Sequence, residues 1–370
     1  MALHVELVDD LDRLVELAPA WDDLALRHGL PAMMRPSFCL PWWRHQGRGR
    51  LAVPVALDGG GTLRGLIPLH QRSVLGRDVT RWIGHGHGTI GEAVVGDEPA
   101  VVDALWAALA EPGRVLDLRH VRHAGRGLDE LRRCDALAAH AVLEDPAPFV
   151  DLTTASCVDE LLADRRSLRK RLGRADRLAE RAGLVPTFEL VEPADVAGFD
   201  APALVERLRT VHQAAAGERA HLDLFDDPAR AALLVDLLEE AVRARSVVVQ
   251  VLDVDGRARA FNLFLRSGDQ LSGWVTAFDP AIGEISPGQL MLREACRWGI
   301  ERGISTIDLQ IGDDDYKRRW SSGSVDAVRV LAAHDGLHRA RALVEALEVV
   351  HAGRRAALGV VDGLRARSAA

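Results

Sequence analysis

At 370 residues the chain exceeds one ordinary core and predicts about two domains. Its 48% hydrophobic content with mixed charges excludes intrinsic disorder, and a formal net charge of −8 argues against DNA or general nucleic-acid binding. No run approaches the ~20 apolar residues that span a bilayer, and the acidic start MALHVELVDDLDRL lacks an apolar leader core, so a cytoplasmic protein without membrane contact is expected.

Along the chain, RLAVPVALDG (50–59) and TLRGLIPLHQRS (62–73) read as strands joined at Gly59-Gly60-Gly61, a predicted hairpin. PAVVDALWAALA (99–110) has helical apolar spacing, and VLDLRHV (115–121) returns as a strand. The Pro-interrupted LEDPAPFVDLTT (143–154) predicts a boundary. Residues 1–150 are therefore expected to form a first lobe, 151–334 a second and 335–370 a helical tail.

The second lobe opens on SLRKRLGRADRLAERAG (167–183), a basic amphipathic helix with Leu168, Leu172, Ala175 and Ala179 on one stripe and Gly183 as its C-cap. A strand over 185–191 and helices over 203–216 and 228–244 follow. The runs 246–256, 257–269 and 270–280, turned at VDGR and SGDQ, predict an antiparallel meander. DGLHRARALVEALEVVHAGRRAAL (335–357) predicts an amphipathic tail helix, or two, with Leu337, Ala340, Leu343, Leu347 and Val350 as its stripe. Docking on the second lobe is expected, with a dimer contact as the alternative; monomer and homodimer both stay open.

The stretch AFDPAIGEISPGQLMLREACRWGIERGISTIDLQIG (277–312) carries the most chemistry. Ser286 before Pro287 predicts an N-cap and first helical residue, because Pro forfeits an N–H that would have no helical partner. The amides of Gly288, Gln289 and Leu290 are then expected to point outward at the positive end of the helix dipole, where they can hold phosphate.

These residues carry a resemblance. LVERLRTVHQAAAG, Ser286-Pro287-Gly288, Asp308 with Gly312, Tyr316-Lys317 and Trp320 make the stretch from Leu204 to Trp320 similar to the GNAT acyltransferases. Within that superfamily it resembles the CelD-type acetyltransferase branch linked to polysaccharide biosynthesis, a neighbour of the Fem peptidyltransferases. PWWR (41–44) and RWIG (81–84) resemble the same branch more faintly. The resemblance implies an α/β protein of tandem GNAT-like lobes, each a mixed central sheet flanked by helices, with the first lobe non-catalytic. It also implies acyl transfer from acyl-CoA, acetyl-CoA foremost, to an amine or hydroxyl of a sugar, amino acid or related metabolite. Ser286, Gly288, Gln289 and Leu290 would hold the cofactor. Two positions depart from the pattern: Ile285 and Leu290 stand where the general phosphate motif has Arg or Gln and a second small residue, and Gly88-Thr89-Ile90 replaces an Asp-Tyr pair.

Thioester acyl transfer needs a nucleophile, a stabilised oxyanion and a proton for the leaving thiolate. GNAT enzymes often place a tyrosine just beyond the strand at 305–310 as that acid, so the resemblance gives the role to Tyr316, the only tyrosine in the chain; Lys317 beside it could bind an oxyanion, a phosphate or a carboxylate. On the residues alone, Tyr316 could equally stack on Trp320 and Lys317 pair with Asp313. Asp308 is the expected third catalytic group, with Asp279 and Glu284 as other acids, while His212, Asp279 and Trp320 are expected on the acceptor side. His85 and His87 in HGHG lack carboxylate or thiol companions, and Cys39, Cys134, Cys157 and Cys296 show no CxxC spacing, so no metal is expected. Two further readings remain open: a Fem-like aminoacyl-tRNA-dependent transferase, and a GNAT fold that binds without chemistry. The acidic charge and the lack of a coiled-coil insertion argue against tRNA.

Overall fold

The structure, a computed structural model, describes residues 3–345 apart from 75, 88–89, 96–97, 124–127, 216–224, 226, 335, 339 and 343. The chain begins with β1 (Leu3–Val8), α1 (Leu11–Arg27) and α2 (Pro36–Gln46). Asp10 caps α1, its carboxylate accepting from the amides of Asp12 and Arg13. Next come β2 (Arg50–Leu51), β3 (Val53–Asp58), β4 (Leu63–Leu66), β5 (Leu69–Val74) and β6 (Arg77–Trp82). β7 (Val94–Val95), α3 (Pro99–Ala107), β8 (Arg114–Arg122), α4 (Leu128–Arg133) and β9 (Ala138–Leu143) complete the first half. The predicted glycine hairpin joins β3 to β4, with Val55 opposite Leu66. Pro68, which has no N–H to give a ladder, separates β4 from β5, and the chain passes there from a four-stranded to a six-stranded sheet.

The second half opens with β10 (Ala147–Asp151), α5 (Val158–Leu161), α6 (Arg166–Arg181) and β11 (Pro186–Val191). α7 (Ala201–Ala215), α8 (Pro228–Ala244), β12 (Val247–Val254), β13 (Arg257–Ser267) and β14 (Gln270–Phe278) follow. The chain continues through α9 (Pro287–Glu301), β15 (Thr306–Asp308), α10 (Asp315–Trp320), β16 (Gly323–Val325) and β17 (Ala327–Ala333). β12, β13 and β14 form the expected antiparallel meander.

The halves share a plan of mixed sheets flanked by helices. In each, an antiparallel hairpin (β5–β6, β13–β14) feeds a helix (α3, α9) that crosses to a parallel strand (β8, β15). Each sheet also takes a strand from across the boundary expected at 150. The six-stranded sheet has the order β2-β5-β6-β8-β17-β9 and the seven-stranded sheet β11-β12-β13-β14-β15-β10-β16. The boundary expected at 150 thus falls inside β10, which belongs to the second sheet, and β17 from the second half lies between β8 and β9 of the first.

One apolar core gathers Trp21, Phe38, Leu66, Leu116, Leu237 and Phe261, drawing on both halves. A second lies between α6, α9 and the other face of the seven-stranded sheet, with Leu172, Phe264, Met291, Ile307 and Trp320. Each fully buried side chain of this size contributes roughly 1.5–3 kcal/mol. Buried Arg35 clamps the halves together, donating to the carbonyls of Arg266 (2.8 Å) and Ala244 (2.9 Å) while paired to Asp22 at 2.8 Å. Among the described residues the tail packs on the first sheet and not on the second lobe: Ala340 and Val344 lie against Val79, Val115 and Ala333, whose apolar face they complete. Leu343, Leu347 and Val350 of the predicted stripe lie outside the described residues.

Candidate functional site

β14 and β15 pair in parallel only over 270–272 and 306–308. Beyond Ser272, β14 runs on to Phe278 along β13, and the two central strands part. The fork opens a cavity of about 490 Å³, walled by Phe264, Trp274, Val275, Phe278, Leu292 and Leu309. Its polar lining comprises Asn262, Thr276, Ser286, Gln289, Gln310, Tyr316 and Lys317, with Arg171 at one side. A bulge sits in this wall: Leu263 faces Val275 and Phe264 faces Gly273, leaving Trp274 without a partner on β13. The indole of Trp274 meets the edge of Phe38 from the first half at 5.8 Å.

The helix after the turn starts at Pro287, as its sequence predicts, but Ser286 does not cap it. Ser286 adopts a left-handed conformation (φ +52°) and its hydroxyl caps nothing. The Gln289 amide donates to Ser286 O at 2.9 Å and the Leu290 amide reaches the same oxygen at 3.4 Å. The expected row of three outward amides is therefore reduced, and Gly288 carries the open approach, with nothing within 4 Å of where a Cβ would stand. Leu290 faces the core at 1% exposure and does not line the cavity. Gln310 is also left-handed (φ +64°), so two residues held against ordinary backbone preference line one cavity.

Trp320 is a core residue, not an acceptor contact. It is wholly buried, and its indole N–H donates to Gln289 Oε1 at 2.9 Å. Asp279 is likewise occupied: it accepts from the Ala281 amide at 2.9 Å, pairs with Arg259, and lies outside the cavity wall. His212 sits on α7 with its ring 5.0 Å from Phe225, on the far side of the sheet, away from the fork.

Lys317 lines the cavity yet is only 5% exposed. Its Nζ donates to the carbonyls of Ile311 (2.7 Å) and Gln310 (3.2 Å) and lies 3.6 Å from Asp314. Burial lowers its pKa, partly offset by Asp314. The alternative pairing with Asp313 does not occur, because Asp313 takes Arg318 at 2.8 Å. Tyr316, 38% exposed, stands on the rim. Asp308 does not line the cavity; its two oxygens accept from the backbone (2.7 Å) and side-chain (3.0 Å) nitrogens of Gln310. Burial pushes its carboxyl up to about 6, against the opposing pull of the Gln310 amide, Arg122 and Lys317. It positions Gln310 and does not touch the cavity itself.

Beside the fork, Ser167, Lys170, Arg171, Arg174, Glu284 and Ser286 line an adjoining cavity of about 390 Å³. Among the described residues Lys170, Arg171 and Arg174 make no ion pair, whereas Arg293 nearby holds Asp176 at 2.8 Å. The cationic face of α6 thus meets the turn at Ser286. Sequence reasoning missed Arg171, Trp274, Asn262 and Gln310. Asn262 and Gln250 interrupt otherwise apolar strands, which was a readable signal: Asn262 donates to Gln250 (2.8 Å), which donates to Met291 O in α9 (2.8 Å). Among the described residues no group of three or more His, Cys, Asp or Glu is placed to hold a metal ion, and no helix is long and apolar enough to cross a membrane.

Residues 166–318 match the family model described as an acetyltransferase (GNAT) domain. No curated protein matches the sequence. Among solved structures, the C-terminal domain of a candidate lysylphosphatidylglycerol synthetase from Agrobacterium fabrum is similar at TM-score 0.57 and 18% identity, over 91% of this chain and 96% of that one. The L-PGS structure from Bacillus licheniformis is similar at TM-score 0.53 and 14% identity, over 90% and 96%. At such identities the likeness is one of fold.

Proposed function

We propose that this chain, which carries a GNAT acetyltransferase domain over 166–318, transfers an acyl group from acyl-CoA, acetyl-CoA foremost, to an amine or hydroxyl of a sugar, amino acid or related metabolite. This is the activity of the CelD-type branch. The observation that carries the reading is the fork between β14 and β15, with the Ser286 turn and the cations of α6 at one end and Tyr316 on its rim. The unpaired edge of β14 suits an extended, amide-bearing arm, which would add to the sheet as a strand does. Arg171, Lys170 and Arg174 suit the phosphates of the donor, with the Gly288 turn giving close backbone approach.

In the reaction the acceptor lone pair attacks the thioester carbonyl, the acceptor gives up its N–H or O–H proton to solvent, the C–S bond breaks, and the thiolate takes a proton. A phenol of ordinary pKa near 10 can protonate a thiolate whose conjugate acid lies near 8.5, because transfer accompanies C–S cleavage. Tyr316 fills that role. Lys317 and Asp308 hold the 308–312 loop in shape from either side of Gln310.

A thermal-shift panel of CoA, acetyl-CoA, longer acyl-CoAs and tRNA tests the reading. At one hundred times its Kd, CoA should stabilise the protein by about 2.7 kcal/mol. A second reading, transfer from aminoacyl-tRNA, is favoured by the cationic face of α6. Stabilisation by tRNA and not by CoA would decide for it, and silence from every ligand would leave a fold without this chemistry.

A further inference from the structure

The basic helix bordering the fork carries more charge than a nucleotide can use. At 3.6 residues per turn, Arg166, Lys170, Arg174, Arg177 and Arg181 of α6 fall within an arc of about 80°. The ridge they form runs about 22 Å along the helix, opposite the buried stripe of Leu168, Leu172, Ala175 and Ala179. All five cations are exposed, and among the described residues none is in an ion pair. The nearby acids do not neutralise them: Asp176 is held by Arg293 at 2.8 Å, and neither Glu180 nor Glu284 pairs with the ridge. Like charges four residues apart repel, so the row costs helix stability unless an anion lies along it. Lys170 and Arg174 line the cavity beside Ser286, whereas Arg166, Arg177 and Arg181 lie beyond it. The ridge therefore outruns any ligand confined to that cavity.

The turn at Ser286 points the same way. CoA brings three phosphates, two of them joined as a pyrophosphate. Here the amides of Gln289 and Leu290 fold back onto Ser286 O, and the Gly288 amide is the one left open. One open amide suits one phosphodiester. A phosphopantetheine arm on a carrier protein has that single phosphodiester, the same thioester end as CoA, and an acidic protein in place of the nucleotide.

We infer that α6 is the docking face for an acidic acyl carrier protein. The carrier's acidic helix lies along the ridge from Arg166 to Arg181, its phosphate meets Gly288 and Arg171, and the arm enters the fork. The Tyr316 rim disfavours a nucleic acid. There Asp313, Asp314 and Asp315 balance Arg318, Arg319 and Lys317 and leave no net positive charge. A one-sided ridge suits one acidic helix, while a folded RNA would press phosphates against both sides. In transfer the carrier's acyl–sulfur bond breaks, the acceptor takes the acyl group and loses a proton, and the carrier thiol leaves protonated. That step rests on the acyltransferase reading above; the docking does not.

The test is equilibrium binding to the full chain by titration calorimetry. The probes are a fatty-acid-type acyl carrier protein and a peptidyl carrier protein, each as acetylated holo form and as apo form. Acetyl-phosphopantetheine, acetyl-CoA, bulk tRNA and phosphatidylglycerol vesicles are titrated beside them. At least one acetylated carrier should bind at least tenfold more tightly than acetyl-phosphopantetheine, and added salt should weaken it. Arg177→Glu and Arg181→Glu, both exposed and outside the cavity, should each weaken the carrier at least fivefold. Acetyl-CoA affinity and melting temperature should hold in both. Binding by neither carrier, unchanged carrier affinity in the two variants, or tighter binding of tRNA or vesicles than of the carriers would overturn the docking face. Acetyl-CoA binding in that event would leave the acyltransferase reading standing. Apo and acetylated carriers that bind equally, and that both variants weaken alike, would keep the docking face and remove the acyltransferase reading.

Discussion

The indole N–H of Trp320 donates to Oε1 of Gln289 at 2.9 Å, tying the end of α10 to the first turn of α9. Trp320, the last residue of the short helix that carries Tyr316 and Lys317, thus anchors the turn at the cavity from inside the core. Emptying the Trp320 site should cost ~3–5 kcal/mol, the usual penalty for a buried aromatic. Gln289→Leu would strand the indole N–H and should cost ~1–3 kcal/mol. Chemical denaturation checks both. A silent Trp320→Ala would show that this core does not support the turn.

Gly288 offers the cleanest probe of the donor site, because a side chain there meets nothing of the protein. Gly288→Val should leave the melting temperature nearly unchanged and abolish the shift given by CoA. Undiminished CoA binding would place the donor elsewhere.

Lys317 separates a chemical role from an architectural one. Its ammonium is committed to the carbonyls of Gln310 and Ile311. Lys317→Ala leaves both without their donor and should lose stability on the order of 2–4 kcal/mol, with turnover falling as the loop loosens. If Lys317 instead acts only on substrate charge, rate or acceptor affinity will drop at constant stability.

Asp308 makes stability depend on pH in a direction opposite to most carboxylates. Its pKa is raised from 3.8 to about 6, so between those values the folded protein binds a proton that the unfolded chain has released. Its contribution is thus most favourable below pH 4 and declines as pH rises through 6. Asp308→Asn removes that decline, and relative to wild type it should gain roughly 2–3 kcal/mol in going from pH 4 to pH 8. The observable is the difference in unfolding free energy at the two pH values. A flat difference would mean that Gln310 and the nearby cations already hold the carboxylate charged.

Several elements of the site could be read from residues in sequence because local physics sets them. The helices over 201–215 and 228–244, the meander and the start of α9 at Pro287 follow from apolar period, turn glycines and proline chemistry. The exchange of β10 and β17 could not, since a strand shows which face it buries but not which sheet receives it. Nor could the left-handed turn at Ser286, which replaces an ordinary N-cap and draws two amides back onto its own carbonyl. Trp320 ends the charged run 313–320, where packing and acceptor contact were both open, and the bulge that leaves Trp274 without a partner on β13 has no mark in the sequence. Asp117 and Asp308, each in an apolar strand, show the limit of local reading. One is held low by Arg81 and Arg329, the other is raised by burial beside Gln310.

Tyr316 decides whether the rim is chemical. Its side chain is part exposed and lines the fork, so Tyr316→Phe keeps the ring and should change stability by no more than about 0.5 kcal/mol, as surface substitutions do. If the phenol delivers the proton to the departing thiolate, turnover should fall ~10²–10⁴-fold, or roughly 3–5 kcal/mol of barrier, while acyl-CoA affinity holds. The loss should be larger with acyl donors whose leaving thiolates are more basic, since these need the proton most. A Tyr316→Phe enzyme with full turnover and wild-type affinity would instead mean that solvent protonates the thiolate across the open rim. Measuring single-turnover rates with saturating acyl-CoA separates the two, because it excludes product release from the comparison.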